Sequence, residues 1–315
     1  MSKVLKDVTR TGKERPWRER KTENLTYAEY LAVLNFKKAK RVKECGEVLN
    51  FVADDTGHLK LYQTWFCKSR LCAMCNWRRS MKQSNQLVQI LNEAVKQQPK
   101  ARFLFLTLTQ KNVEGQQELK EVLHDLGRAI NKLFKYKKTA KNFLGYVRST
   151  EITVNQDDGS YHPHMHVLLM VKSSYFKDSE NYISQDEWTK YWQKAMKLDY
   201  VPVVNVEAVK PNKNKDKDSL VASAQETAKY QVKSKDILSG SDEFNLKVIE
   251  DLEQALAGTR QISFGGLFKD IRKQLQLEEV EDNLINTDGN DEDIDEVVAN
   301  VVAKWDYQRQ NYFIN

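Results

Sequence analysis

The segment LGYVRSTEITVNQDDGSYHPHMHVLLMV, residues 144–171, decides the fold. Two runs rich in apolar and β-branched residues, Leu144–Asn155 and His162–Val171, flank the turn-rich QDDGS and read as an antiparallel hairpin. Alternate residues of a strand share a face, so His162, His164 and His166 project together while Met165 and Val167 point into the core. With the turn centred near Asp157 and Asp158, residues whose numbers sum to 315 face one another, and Glu151 lies opposite His164. Directly opposed Cβ atoms stand roughly 4.5–5.5 Å apart, close enough for a carboxylate to join two imidazoles around one divalent ion. A slip of one residue would turn Glu151 to the other face. Such a mixed nitrogen and oxygen set suits a metal that works on phosphate, provided coordination positions stay open.

Working outward, Phe103–Thr109 (FLFLTLT) reads as a buried strand, and Gln116–Lys135 as an amphipathic helix with Leu119, Val122, Leu123, Leu126, Ile130 and Leu133 at helical spacing. Asp186–Leu198 reads as a second helix, Val201–Val209 as a fourth strand and Asp218–Val232 as a third helix. The order β-α-β-β-α-β-α implies an α+β fold, a central antiparallel sheet with helices on one face and the other face free to carry a site. Within the last helix, ETAKY places Glu226 and Tyr230 four residues apart on one stripe, with Lys229 and Lys233 nearby as expected DNA phosphate contacts. A phenol titrates near 10, so as a nucleophile it needs a neighbouring cation or a polarised phosphate. Glu226 could serve as a general base on water or as an acceptor that positions one.

Upstream, Cys67, Cys72 and Cys75 form C-x4-C-x2-C, with Cys45 as a fourth thiol. Four thiolates around a structural Zn²⁺ would tie two strands together; the alternative is a buried thiol cluster. Arg70, Arg78 and Arg79 beside them offer a DNA-binding surface. A basic arm with a helix from about Thr26 to Lys43 precedes the cysteines, and a long helix from about Arg78 to Gln97 follows. The net charge is +6, yet Glu278–Glu296 holds ten acidic residues and no basic ones, so the remainder carries +16, a balance suited to a polyanionic partner. The acidic stretch reads as flexible and solvated. The aromatic end, with Trp305, Tyr307, Tyr312 and Phe313, docks on the body or on a partner. No apolar run is long enough to span a membrane and no secretory leader is evident, so a cytoplasmic location is expected.

FLFLTLTQKN, HPHMHVLLM and ETAKY, in that order and spacing, resemble the three motifs of rolling-circle plasmid replication initiators in the HUH endonuclease superfamily, the name describing His164-Met165-His166. CKSRLCAMCNWRRS resembles that family's upstream cysteine-rich motif, so the resemblance runs from about Cys45 to Tyr230. It implies a nuclease in which Tyr230 attacks a phosphodiester of the double-strand origin, presented as a hairpin or single strand, and becomes joined to the 5′ phosphate. It further implies Mg²⁺ or Mn²⁺ on His164, His166 and Glu151, and termination by water that Glu226 activates. Glu151 itself comes from the hairpin geometry together with the habit of HUH enzymes of placing a carboxylate on the neighbouring strand, while His162 lies outside the two-histidine pattern. The expected partners are origin DNA, a host helicase and a DNA polymerase, with a homodimer left open. Three regions are expected: residues 1–98 as a basic and cysteine-rich DNA-binding region, 99–240 as the endonuclease domain, and 241–315 as a helical and acidic tail. Two alternatives stand beside this reading. One is a single-tyrosine HUH transposase or relaxase, although relaxases usually carry the tyrosine ahead of the histidines. The other is a non-catalytic, zinc-containing DNA-binding regulator.

Overall fold

The computed structural model describes residues 3–177, 179–209, 219–228, 231–287, 289, 293–294 and 296–314. In chain order the first elements are β1 (Lys3–Val4), α1 (Trp17–Val33), α2 (Ala39–Lys43), β2 (Val48–Ala53), β3 (Leu59–Thr64) and α3 (Ala73–Gln97). Then come β4 (Arg102–Thr109), α4 (Gly115–Leu133), α5 (Lys137–Asn142), β5 (Phe143–Val154), β6 (Tyr161–Val171), α6 (Gln185–Met196) and β7 (Val204–Val209). The remainder is α7 (Ser219–Thr227), α8 (Ser234–Leu238), α9 (Asp242–Ala255), β8 (Ile262–Gly266), α10 (Leu267–Gln274), β9 (Ala299–Asp306) and β10 (Asn311–Ile314). The chain divides into two compact units, one of Met1–Asn85, Leu238–Ile249 and Glu278–Asn315, the other of Gln86–Ile237 and Glu250–Leu277.

The second unit carries the α+β sheet that the hairpin implied. Its strand order is β7-β4-β6-β5-β8, every pair antiparallel. On one face Leu104, Leu106, Leu108, Met165, Val167 and Leu169 are buried, as are Leu119, Leu126 and Ile130 of α4 and Trp188 and Trp192 of α6. Fully burying side chains of this size contributes roughly 1.5–3 kcal/mol each. A reciprocal cap starts α6: Glu187 N–H donates to Ser184 Oγ while the Glu187 carboxylate accepts from Ser184 N–H. The opposite face is not free along its whole length. Phe103, Val147, Leu168 and Met170 pack there with Leu87, Ile90 and Leu91 of α3, Ala224 of α7, and Phe268 and Ile271 of α10. The three histidines lie farther along that same face.

The first unit contains a second sheet, of order β1-β10-β9-β2-β3, that sequence reading did not anticipate. The Asp54 carboxylate closes the β2–β3 hairpin by accepting from the backbone N–H groups of Thr56 and His58 at 3.0 and 2.9 Å. Gly57 completes the turn at a φ of +81°. The aromatic end docks within this unit: Trp305 and Tyr312 are buried on paired strands, and the Tyr312 hydroxyl donates to the Gly46 carbonyl. The helix expected over 26–43 is two helices, separated where Asn35 takes the left-handed conformation at φ +57°.

Two expectations are corrected here. Arg78 and Arg79 are 0% and 5% exposed, so neither guanidinium is available to a phosphate. The acidic stretch is not wholly solvated either, because its described first part, 278–287, runs along the start of α3. Arg78 donates to the carbonyls of Leu284 and Ile285, and its guanidinium lies 5.6 Å from the rings of Trp17 and Trp77. Arg79 grips both Glu281 oxygens, Lys82 reaches Glu278 at 3.0 Å, and Asn85 donates to the Thr287 carbonyl at 3.0 Å. These positions fall on one stripe of α3 by helical periodicity. Asp288, Asp291, Glu292 and Asp295 lie outside the described residues.

Removing Arg78 strips buried carbonyls of their donor, at a cost of about 1–3 kcal/mol for each group left unsatisfied. Arg78→Ala is expected to destabilise the protein by about 2–4 kcal/mol in urea titration, with Arg78→Lys recovering only part because an ammonium lacks the planar fork. A loss below about 0.5 kcal/mol, the range of ordinary surface substitutions, would contradict this account.

Candidate active site

The β5–β6 ladder pairs Glu151 with His164, as the hairpin sum requires, and sets Ser149 against His166 and Thr153 against His162. On the other side of β6, β4 contributes Thr107 opposite His166 and Thr109 opposite His164. The buried turn residues Ser160 and Tyr161 fix the strand entry, while Met165 and Val167, both fully buried, pin the strand between the histidines.

Glu151 Oε2 lies 3.6 Å from His164 Nε2 and 3.4 Å from His166 Nε2, and the three side chains are 9–13% exposed. Each imidazole is held through its other nitrogen. His166 Nδ1 is 3.3 Å from Thr107 Oγ1, and His164 Nδ1 is 3.2 Å from the His162 carbonyl. Both Nε2 atoms are therefore turned toward the carboxylate, and partners at Nδ1 of this kind orient a metal-binding histidine. Ligands on bonds of about 2.0–2.2 Å, separated by a right to tetrahedral angle, stand about 2.8–3.6 Å apart, so the donor set fits a single divalent ion. Phe105 stacks on His166 with centroids 5.5 Å apart and limits rotation of the ring.

His162 is anchored away from this group: its Nδ1 lies 2.9 Å from Asn112 Oδ1, and Asn112 donates to Ser160 Oγ at 2.8 Å. Burial and the neighbouring His164 together lower its pKa. Glu151 also accepts from Lys233 Nζ at 2.8 Å. Burial alone would raise the Glu151 pKa, but the contacts from His164, His166 and Lys233 outweigh it and hold the carboxyl well below the usual range. Near neutral pH this position is an anionic oxygen donor. Lys233, expected at phosphate, is engaged by Glu151, which raises its own pKa.

Glu226 is half-buried near the end of α7, and its charge acts on Lys233, so it belongs to the same neighbourhood. Tyr230 and Lys229 lie outside the described residues. The carbonyl of Gln231 accepts from Ile152 N–H at 2.8 Å, which ties the chain beyond α7 to the strand one residue from Glu151. Sequence reading did not single out Thr107, Asn112 or Asp236. The first two sit inside the quoted FLFLTLTQKN segment and could have been found by asking which groups reach the imidazoles. Asp236 is raised by burial, against the pull of Lys233 and Lys235, with Glu151 adding repulsion; nothing in its local sequence signals this.

The four cysteines converge in the first unit, all buried and none in a disulfide. Sγ–Sγ distances of 3.6 Å connect Cys45 with Cys75, Cys67 with Cys75 and Cys72 with Cys45. Tetrahedral thiolates on bonds of about 2.3 Å stand about 3.8 Å apart, so the bundle fits a zinc ion, whereas a disulfide needs about 2.05 Å. Backbone N–H groups of Cys67, Lys68 and Ser69 point at these sulfurs from 3.2–3.4 Å. Arg70 beside them is half-buried. Among the described residues no helix is long and apolar enough to cross a membrane.

A family model described as a replication protein matches residues 58–313. A "Protein rep" of Lentilactobacillus hilgardii is 71% identical over 312 residues, 99% of either chain. Its namesake in Lactiplantibacillus plantarum is 61% identical across the full length of both, and one in Streptococcus pneumoniae serotype 2 is 45% identical over 99% of this chain and 96% of its own. No solved structure matches. The match spans the cysteines from Cys67 onward, the histidine strand and α7, in agreement with the resemblance to plasmid replication initiators drawn from the motifs, and the chain belongs to the Rep_1 family of replication proteins.

Proposed function

We propose that this replication protein starts rolling-circle replication of a plasmid by nicking one strand at the double-strand origin. The observation that carries the reading is the convergence of Glu151, His164 and His166 on one sheet face with their donor atoms turned toward a common point. Tyr230 Oη attacks the scissile phosphorus, the phosphorus–O3′ bond breaks, and the 5′ phosphate stays on Tyr230 while the freed 3′-OH serves as primer. A divalent ion on the triad, Mg²⁺ or Mn²⁺ by the mixed donor set, would polarise the scissile phosphate. With Lys233 engaged by Glu151, Lys229 would supply positive charge that favours the phenolate.

At termination a second cut is needed at the regenerated origin. Glu226 takes a proton from water, whose oxygen then attacks phosphorus, so this cut ends in hydrolysis rather than in another covalent joint. The tie between Gln231 and Ile152 supports this role, since it brings the α7 region to the strand that bears Glu151. The cysteine bundle holds Zn²⁺ and ties the ends of the β2–β3 hairpin to the start of α3, with Arg70 contributing to origin binding. A helicase and a polymerase of the host act on the exposed strand and primer.

With origin single strand and Mn²⁺, the wild-type chain should form a covalent protein–DNA adduct that vanishes in Tyr230→Phe. A band shift without any adduct would instead identify a non-catalytic regulator. His164→Ala should cut cleavage by at least about a hundredfold while leaving duplex binding intact, the scale of losing one group that stabilises transition-state charge. Glu226→Ala should nick normally but accumulate unresolved products; normal release of monomer circles would remove the water-activating role. Elemental analysis should find about one zinc per chain, lost in Cys72→Ser and retained in His164→Ala. Absence of zinc from protein purified without chelator would leave only a thiol cluster.

A further inference from the structure

Away from the Glu151, His164 and His166 group, the second unit has a cavity of about 580 Å³ between the α4–α5 connection and α6. It falls within the roughly 300–1,000 Å³ range of small-ligand sites. Two half-buried phenol rings, Tyr136 and Tyr191, stand 5.4 Å apart in its wall at an interplanar angle of 56°. Exposed Lys137, Lys141 and Lys194 rim it. Lys194 Nζ lies 5.8 Å from the Tyr136 centroid, and none of these three lysines has a carboxylate partner among the described residues. Lys138 differs, since both oxygens of Glu187 hold it at 2.8 and 3.1 Å. Among the described residues Glu180 is the single acidic residue in the cavity wall.

The local sequence concentrates charge here: KLFKYKKTAK, residues 132–141, holds five lysines in ten residues and no acid. A lysine-rich helix face that only confers solubility has no need of paired aromatic rings in a recess. Rings flanked by unpaired cations are the combination that receives a polynucleotide strand, bases on the ring faces and phosphates on the ammonium groups. Duplex DNA would satisfy the lysines but keeps its bases stacked inside, out of reach of a recessed ring.

We propose that this recess is a single-stranded DNA site, holding an unpaired strand through base stacking on Tyr136 and Tyr191 and phosphate contacts to Lys137, Lys141 and Lys194. The proposal rests on the reading of the chain as a strand-cutting replication protein, because only such an activity generates unpaired DNA beside it.

The test is fluorescence anisotropy on the full chain with labelled oligothymidylate, which carries no origin sequence, and with a duplex of equal length. Binding of the oligothymidylate should survive both chelator and His164→Ala. The triple variant Lys137→Ala/Lys141→Ala/Lys194→Ala should weaken it at least tenfold and lower the steepness of its salt dependence by about 2, given about 0.7 per single-strand phosphate contact. Tyr191→Leu should weaken it about tenfold and Tyr191→Phe should restore it, which separates stacking from loss of the hydroxyl or of the fold. An unchanged affinity in the triple variant would overturn the site, as would equal losses on the duplex. Failure of Tyr191→Phe to restore binding would also count against it. Loss of oligothymidylate binding in His164→Ala would move single-strand binding to the cut site and sink the recess, while the adduct at Tyr230, assayed separately, would still decide the nuclease reading.

Discussion

The site depends on the register of one hairpin. Between Val154 and Tyr161 the turn closes with Asn155 N–H donating to the Ser160 carbonyl and Gly159 N–H donating to the Asn155 carbonyl, both at 2.9 Å. Gly159 sits at φ +72°, a conformation that costs a side chain dearly. That closure fixes Glu151 against His164, and a shift by one residue would replace the carboxylate with Thr150 or Ile152 and send Glu151 to the buried side. The one irregularity in the ladder lies between Phe143 and Gly145, at the far end from the histidines, where it does not disturb the pairing that matters. Apolar burial of Met165 and Val167 on the reverse face then holds the register against slippage, so core packing and site geometry are set by the same alternation.

Several elements of the second unit were legible because each announces its period: FLFLTLT and HPHMHVLLMV as strands, the Leu and Ile stripe of α4. The Glu151–His164 pairing followed from arithmetic on the turn. Other features were hidden for specific reasons. The β2–β3 hairpin has a plain turn in DDTG, but the cysteines beside it drew the reading toward a metal site and away from a sheet. Its partner β9, with β10 beyond it, arrives from the far end of the chain, and no local pattern predicts a pairing across such a separation. The five-residue ISFGG of β8, with two glycines, offers too little alternation to register as a strand.

The cations of α3 show where composition misleads. Counted along the chain, Arg78, Arg79 and Lys82 enlarge a positive surface; in the fold they are spent internally on Glu278, Glu281 and backbone carbonyls. Exposed positive charge lies elsewhere, on lysines such as Lys132, Lys135, Lys137 and Lys141. A net charge therefore suggests the class of partner, but burial decides which residues meet it. Lys233 illustrates the same point, since its ammonium is engaged by the carboxylate that would bind the metal.

The pairing of Lys3 with Ile314 and of Val4 with Phe313 joins the two extremities of the chain in one sheet, with β2 hydrogen-bonded to β9 farther in. During synthesis the cysteine-bearing unit must wait, its edge unsatisfied, until residues 299–314 leave the ribosome, whereas the histidine-bearing strands can pair as soon as they emerge. A chain lacking residues 299–314 would thus have its histidine-bearing sheet assembled while its other sheet lacks β9 and β10. The strand edge left open in that sheet would expose the first unit to proteolysis.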